Sequence, residues 1–260
     1  MRKAVILGSG TCVPSLERSS CAVLLWGEEE NILLDIGPGT MHRLLRAGLH
    51  IHEIDGVVLS HFHPDHAGEF PPFLFATRFP EQEMREKKLR VLGGTGLGDF
   101  YKKANETFAG YLELTGGLLE LTELEDSGKD AELFCEFDLE WAPAEHRPES
   151  RSYRFTTPDG FVVVYSGDTD YTESLVELAR GADLFICESA FPDELKLRGH
   201  LSPSVAGSIA EEAGAGHLVL THFYPVCEDY DMYAECRRSY SGRLTLAEDL
   251  MEFDLTKGVR

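Results

Sequence analysis

Residues 60–70, SHFHPDHAGEF, place three histidines and one aspartate within the six positions from His61 to His66. The segment just before them, IDGVVLS, is apolar and predicts a buried strand. A strand end gains no packing energy from imidazoles gathered around a carboxylate. The cluster therefore predicts a binding function, and imidazole with carboxylate is a set of donors that suits transition metals.

Length and composition limit the class of protein. The chain has 260 residues, 43% hydrophobic and 10% aromatic, which is enough for a sizeable core. No apolar run has the length of a membrane span, and MRKAVILGSG is too short in its apolar part for a signal peptide. We therefore expect a cytoplasmic protein without a membrane partner. The six cysteines are scattered without a CxxC pair, which predicts reduced thiols rather than disulfides.

The charge of the chain limits its partners. The formal net charge is −21, from 45 acidic and 24 basic residues. Such a surface repels long phosphate backbones, so a long nucleic acid is not the expected partner. A small anionic substrate is compatible with this charge, because a bound metal ion reverses the field locally.

Strand and helix patterns alternate along the chain. The predicted strands are KAVILG, CAVLLWG, NILLDIG, IDGVVLS, LRVLGG, AELFCEFDLEWAPAEH, the hairpin SYRFTTPDGFVVVYSGDT, ADLFICES and HLVLTHFYP. The predicted helices are GPGTMHRLLRAGL, LGDFYKKANETFAGYL, TESLVELARG and SPSVAGSIAEEAGAG, and HAGEFPPFLFATRF predicts a loop and a helix with a proline break. No repeat, low-complexity segment or linker interrupts this pattern. We predict one α/β domain over residues 1–260, with helices covering the strands.

Three further polar residues follow predicted strands: His146, Asp168 and His222. Strand ends at one edge of a sheet converge, so we expect these residues to meet the 61–66 cluster. The seven side chains exceed one tetrahedral site, and they match two metal ions if one carboxylate bridges. The alternatives are a solvated loop histidine at His146 or His222, and a helix-terminal role for Asp168 with Asp170 as its competitor. The other histidines, His42, His50, His52 and His217, are interpreted as ordinary polar residues.

HFHPDH resembles the HxHxDH signature of the metallo-β-lactamase fold, and the later ligands follow that family's order. LGSGTCVPSLERSSCAVLL, NILLDIGPGT, SGDT and LTHFYP resemble motifs of its ribonuclease Z and small phosphodiesterase branch. The resemblance implies a four-layer αβ/βα sandwich with a dinuclear site on its edge. It assigns the first metal to His61, His63 and His146, the second to Asp65, His66 and His222, and the bridge to Asp168. We expect two divalent ions, zinc first, with manganese or iron as alternatives.

The resemblance also points to residues beside the ligands. It implies that His200, in RGHLSP, acts on the phosphate or leaving group, and we assign catalysis to Asp65 and His200. The alternative for His200 is a helix-start histidine with one backbone bond. Glu188 lies in ICESAF, where Cys187 replaces a histidine common in the branch, so we interpret Glu188 as an orienting residue. The phenylalanines of the next loop are interpreted as core packing, with an aromatic substrate wall as the alternative: Phe70, Phe73, Phe75 and Phe79.

The resemblance implies metal-dependent hydrolysis, since paired dications stabilise the attacking and leaving oxygens of a phosphodiester. We expect a small substrate: a cyclic nucleotide, a cyclic sugar phosphate or a short oligonucleotide. The first alternative is a tRNA 3′-processing endonuclease of the ribonuclease Z type. That enzyme carries a long tRNA-gripping arm, for which the interval from Asp168 to His200 (200 − 168 = 32 residues) leaves no room.

Other functions of this fold fit the sequence less well. Hydrolysis of a thioester, a lactone or a β-lactam is the second alternative. An oxygen-reducing diiron site would have glutamate where His63 stands. A scaffold without activity would be expected to have lost some of the ligands. Because ribonuclease Z relatives form dimers, the resemblance also implies a homodimer.

Overall fold

The computed structural model describes residues 1–79 and 84–257, and in these residues fourteen strands form two sheets of seven. The strands are β1 (Lys3–Gly8), β2 (Ala22–Trp26), β3 (Asn31–Leu34), β4 (Gly56–Val58), β5 (Leu89–Gly93), β6 (Leu119–Glu123), β7 (Gly128–Asp130), β8 (Asp138–Pro143), β9 (Arg151–Thr156), β10 (Val162–Tyr165), β11 (Leu184–Glu188), β12 (His217–Thr221), β13 (Arg243–Leu246) and β14 (Glu252–Asp254).

The order and direction of the strands decide which strand ends share an edge. Sheet 1 has the order β14-β1-β2-β3-β4-β5-β6, and sheet 2 has the order β13-β12-β11-β10-β9-β8-β7. Strands β3 to β6 are parallel, as are β10 to β13. The β8–β9 and β9–β10 pairs are antiparallel, so β8 runs in the direction of β10. The carboxyl ends of β8, β10, β11 and β12 therefore lie at one edge of sheet 2.

Seven α-helices in the described residues flank the two sheets: α1 (Thr40–Ala47), α2 (Pro64–Ala67), α3 (Phe70–Ala76), α4 (Leu97–Thr107), α5 (Glu173–Ala179), α6 (Pro203–Ala213) and α7 (Met232–Cys236). The first four pack on sheet 1 through a cluster that includes Leu44 and Phe73. The last three pack on sheet 2 through a cluster that includes Leu175 and Ile209. The order helix, sheet, sheet, helix confirms the predicted four-layer αβ/βα sandwich.

The two sheets share a core. Ile6 and Val23 of sheet 1 lie in the same buried cluster as Phe155 and Ile186 of sheet 2. Burial of these apolar faces against each other holds the edge of one sheet in a fixed position beside the edge of the other. The single domain over residues 1–260 stays a prediction, which this shared core supports.

The cysteines form no disulfide in the structure. All six cysteines are free, and four of them are buried. Within residues 1–79 and 84–257, no helix combines the length and the apolar character that a membrane crossing needs.

Some predicted elements differ from the structure. Residues 131–137 are irregular, although AELFCEF alternates like a strand. The alternation arises because Phe134 and Phe137 enter the core, while Glu136 turns inward to accept hydrogen bonds from the backbone N–H groups of Glu29 and Glu30. The prolines of FPPFLFA lie in the first turn of α3, where a missing N–H costs nothing, rather than breaking the helix inside.

The phenylalanines between residues 70 and 79 divide between core and surface. Phe70 and Phe73 are fully buried, as the core interpretation predicts. Phe75 and Phe79 are each 45% exposed, so that interpretation is wrong for them. The helix presents only one face to sheet 1, and Phe75 lies on the other face.

Candidate metal centre

The seven predicted ligands lie at the edge where the two sheets meet. His61, His63, Asp65 and His66 follow β4 of sheet 1, and Asp65 and His66 belong to α2. The remaining three follow strands of sheet 2, namely His146 after β8, Asp168 after β10 and His222 after β12. The convergence of strand ends thus brings together side chains that are up to 161 positions apart (222 − 61) in the sequence.

One group of donors contains three imidazoles and one carboxylate. His63 Nδ1 lies 3.2 Å from His146 Nε2. Asp168 Oδ2 lies 3.7 Å from His61 Nε2 and 3.8 Å from His146 Nε2. The donor atoms of these four residues all lie within 4.8 Å of one another, which is a spacing that one ion can span.

A second group lies on the other side of Asp168. His66 Nε2 and His222 Nε2 are 3.2 Å apart, and Asp65 Oδ2 lies 3.9 Å and 3.5 Å from them. Asp168 Oδ1 lies 3.1 Å from His66 Nε2 and 3.3 Å from His222 Nε2. The two oxygens of Asp168 therefore face different groups, which is the arrangement that a bridging carboxylate requires.

The donor atoms are better placed to bind metal ions than to hydrogen-bond one another. His61 Nε2 and Asp168 Oδ1 are buried and have no hydrogen-bond partner of acceptable geometry in the described part of the chain. An unpartnered polar atom in such a place is costly unless something else satisfies it. Burial lowers the pKa of His61 and of His63, with neighbouring histidines adding to the shift, and so favours the neutral imidazole that binds metals.

Hydrogen bonds on the outer side fix three of the imidazole rings. His66 Nδ1 donates to Asp35 Oδ2 at 2.7 Å, and His146 Nδ1 donates to the Gly199 carbonyl at 2.9 Å. The Ser60 hydroxyl donates to Asp35 Oδ2, so at 3.0 Å it accepts from His61 Nδ1. With a proton on each Nδ1, the three Nε2 atoms face the centre as lone-pair donors.

Asp35 is a site residue that the sequence analysis did not identify. Its buried carboxylate accepts hydrogen bonds from Ser60 N, Ser60 Oγ, His66 Nδ1 and Tyr165 OH, at 2.6–2.7 Å. Its backbone has a φ of 60°, an uncommon conformation for a residue other than glycine. The segment NILLDIG does carry a pattern that indicates this role, because Asp35 follows an apolar strand in the same way as Asp168 does.

Gly167 allows the two sheets to approach each other at the centre. Its φ is 57°, and a Cβ there would lie 2.5 Å from Ser60 Cβ. A side chain at this position would therefore separate Asp168 from the segment that begins at His61.

His200 lies beside the centre and is held by Glu188. Its Nδ1 donates to Glu188 Oε1 at 3.0 Å and lies 3.9 Å from Asp168 Oδ2. Burial lowers the pKa of His200, but the hydrogen bond and charge of Glu188 outweigh burial and raise that pKa to about 9. Glu188 is itself fixed by the N–H groups of Thr169 and Ala190. His200 thus binds a side chain and not a backbone group through its ring.

The other histidines lie outside the centre. His42 is exposed on α1, His50 stacks on His52 with ring centroids 5.0 Å apart, and His217 Nε2 bonds Thr245 Oγ1 at 2.9 Å. Asp170, the competitor of Asp168, bonds Lys196 and the backbone N–H of Gly199. It therefore supports the loop whose carbonyl orients His146.

Comparisons with known proteins agree with this geometry. The family model described as Beta-lactamase superfamily domain matches residues 30–223, a range that contains Asp35, His200 and all seven predicted ligands. Ribonuclease Z of Streptomyces coelicolor is 26% identical to the chain over 312 aligned positions, which cover 99% of each protein.

Two solved structures share the fold. The metallo-beta-lactamase fold protein YhfI of Bacillus subtilis is 23% identical with a TM-score of 0.83, and the match covers 98% of this chain and 100% of YhfI. The short form of human tRNase Z is 25% identical with a TM-score of 0.78, with coverage of 98% and 100%. The chain belongs to the beta-lactamase superfamily and is a hydrolase with the metallo-β-lactamase fold.

Proposed function

We propose that this chain is a metal-dependent phosphodiesterase that acts on a small phosphodiester. The observation that carries the proposal is the bridging position of Asp168, with one oxygen toward each group of imidazoles and His200 beside it. A phosphodiester exchanges one oxygen for another at phosphorus, so its hydrolysis needs charge stabilisation on two sides and a proton for the leaving oxygen.

In this proposal the seven side chains hold two divalent ions, zinc first, with manganese or iron as alternatives. His61, His63 and His146 hold one, and Asp65, His66 and His222 hold the other, with Asp168 between them. When bound, two such ions supply an activated water and positive charge for the phosphate oxygens. The two carboxylates neutralise only part of that charge, so the centre attracts an anion although the chain as a whole is negative.

His200 and Asp65 perform the proton chemistry in this proposal. The Glu188 carboxylate accepts a hydrogen bond from His200 Nδ1–H. The Nε2–H group of His200 then remains to donate its proton to the oxygen of the departing alcohol. Asp65 is 7% exposed and lines a cavity of about 340 Å³ together with Cys12 and Arg18. The carboxylate oxygen of Asp65 that does not hold an ion would accept a hydrogen bond from the attacking water and orient it.

Several observations favour a small substrate over a tRNA precursor. The interval from His146 to Asp168 contains the β9–β10 hairpin, and the interval from Asp168 to His200 contains α5, β11 and short turns. The alignment with the Streptomyces coelicolor ribonuclease Z has 312 positions, 52 more than the 260 residues of this chain. That relative therefore has segments without a counterpart here, and the net charge of −21 weakens binding to a long backbone.

The second candidate function is cleavage of an RNA phosphodiester in a larger substrate. The observation that favours it is the name ribonuclease Z carried by relatives that match nearly the whole chain. Hydrolysis of a thioester or a lactone is the third candidate of this fold. The thioester hydrolases of the glyoxalase II pattern would need an extra helical substrate domain, for which the predicted single domain leaves no place. The homodimer and the cytoplasmic location stay predictions.

A substrate panel distinguishes these functions. Protein loaded with zinc or manganese is incubated with bis-p-nitrophenyl phosphate, cyclic nucleotides, an unprocessed tRNA, a thioester and nitrocefin. We expect the small phosphodiesters to be cleaved, the thioester and nitrocefin to stay intact, and a chelator to abolish turnover. Cleavage of the tRNA alone would support the second candidate, and cleavage of the thioester or nitrocefin alone would contradict phosphodiesterase chemistry.

A further inference from the structure

Two aromatic rings lie stacked beside the metal centre. The rings of Phe191 and Tyr224 have centroids 4.5 Å apart and an interplanar angle of 18°. The ring centroids of Phe191 and His200 are 6.1 Å apart with an interplanar angle of 70°. Those of Tyr224 and His222 are also 6.1 Å apart, with an angle of 81°. The stacked pair thus stands roughly perpendicular to the rings of His200 and His222, which themselves stack with centroids 5.7 Å apart.

The pairing of β11 with β12 brings the two aromatic rings together. Glu188 at the end of β11 lies opposite Thr221 at the end of β12. Phe191 and Tyr224 each follow three residues later, so both loops leave the sheet in the same register. A hydrogen bond from Tyr224 N to the Ala190 carbonyl, 3.3 Å long, ties the two loops together. The two rings therefore keep a fixed position relative to the ligands.

Packing of the core does not explain the pair. Both rings are only half-buried, and neither belongs to, or packs against, any of the three hydrophobic clusters formed by the described residues. Phe223, between His222 and Tyr224, does belong to the core of sheet 2 and is only 5% exposed. The chain thus places one aromatic ring in the core and keeps the next one at the centre.

We propose that Phe191 and Tyr224 form a stacking platform for a planar ring on the substrate, and that the substrate is a nucleoside phosphodiester. This inference rests on the proposed phosphodiesterase function. A nucleobase is the flat group one sugar away from the phosphorus, and the platform begins at His200 and His222, beside the proposed phosphate site. Aromatic side chains bind bases through their faces without using charge. That suits an acidic chain, whose surface supplies no general attraction for a nucleotide.

The test compares each cyclic nucleotide with the same ester lacking its base. The substrates are the 2′,3′- and 3′,5′-cyclic phosphates of adenosine and of methyl ribofuranoside, with bis-p-nitrophenyl phosphate as a reference. We expect the faster adenosine ester to exceed its base-free counterpart in kcat/KM by about 5- to 150-fold, the range that base stacking gives. Phe191→Leu and Tyr224→Leu should each reduce this ratio through KM, and the double variant should bring it close to one.

Controls separate stacking from other effects. Tyr224→Phe keeps the ring, removes the hydroxyl that contacts Cys12 Sγ, and should keep the ratio. Phe75→Leu alters an exposed ring on α3 and should not change it. A wild-type ratio near one, or a ratio that survives the double variant with its metal retained, would overturn the platform. Cleavage of bis-p-nitrophenyl phosphate but of neither adenosine cyclic phosphate would also overturn the platform. Failure to cleave any of the phosphodiesters would instead overturn the proposed function.

Discussion

An Asp168→Asn chain is expected to bind fewer than two metal ions and to lose about a thousandfold or more in kcat/KM. The carboxylate of Asp168 is buried, and burial opposes its charge, but the imidazoles of His222 and His66 outweigh burial and hold its pKa well below the usual range. The asparagine side chain has the same shape but no charge and only one oxygen, so it cannot present a negative oxygen to each of the two groups of donors. The measurement is metal content by elemental analysis together with turnover of bis-p-nitrophenyl phosphate.

The matched control is Asp138→Asn, which removes one exposed carboxylate from β8 and leaves the centre intact. Its metal content and turnover should equal those of the unaltered chain. If Asp168→Asn retained two ions and full turnover while remaining folded by circular dichroism, the bridge would not exist and the account of the centre would be wrong.

A His200→Ala chain is expected to keep both metal ions and lose about 100- to 10,000-fold in kcat for a substrate with a poor leaving group. The reason is that His200 donates its proton to the leaving oxygen in the proposed reaction. The loss should shrink for p-nitrophenyl esters, whose leaving group needs little protonation. Parallel assays of a cyclic phosphate and bis-p-nitrophenyl phosphate measure the difference, and His42→Ala, an exposed site on α1, serves as the control.

The geometry allows one competing role for His200. Its ring nitrogen lies close enough to Asp168 and His222 for the three to hold an ion together. If His200→Ala lost a metal ion along with its activity, His200 would be a ligand rather than a proton donor. An equal loss of kcat for both leaving groups, with both ions retained, would also contradict the proton transfer.

The sequence predicts the central strands of this fold because they are buried apolar runs, and it predicts the helices from their periodicity and end signals. β2 pairs with β3, and β9 with β10, as antiparallel hairpins. α5 begins at Glu173, after the N-cap residue Thr172, whose side chain accepts a hydrogen bond from Ser174 N. The elements without a prediction are β6, β7, β13, β14 and α7, which are three to five residues long. Length alone does not separate them, because the predicted β4 also has only three residues. These four strands lack a buried apolar run, and α7 has fewer than two helical turns, so their conformation depends on the neighbouring elements.

The candidate site is predictable where side chains follow strand ends. His146, Asp168 and His222 were expected at the centre on that basis, and the structure brings them there. Asp35 follows the same pattern after β3, but its role depends on a contact with His66, 31 positions away, that sequence spacing does not show. The stacking of Phe191 on Tyr224 likewise follows from the β11–β12 register, which only the paired sheet defines.

The most direct test of the account is to count the metal ions and locate them. Protein purified without added chelator and then loaded with zinc or manganese is crystallised, and anomalous diffraction is recorded at the metal edge. We expect two ions per chain, one on each side of Asp168, with His63 at the first and Asp65 at the second. A fully folded, active protein with no ion, or with a single ion that contacts only one oxygen of Asp168, would contradict it.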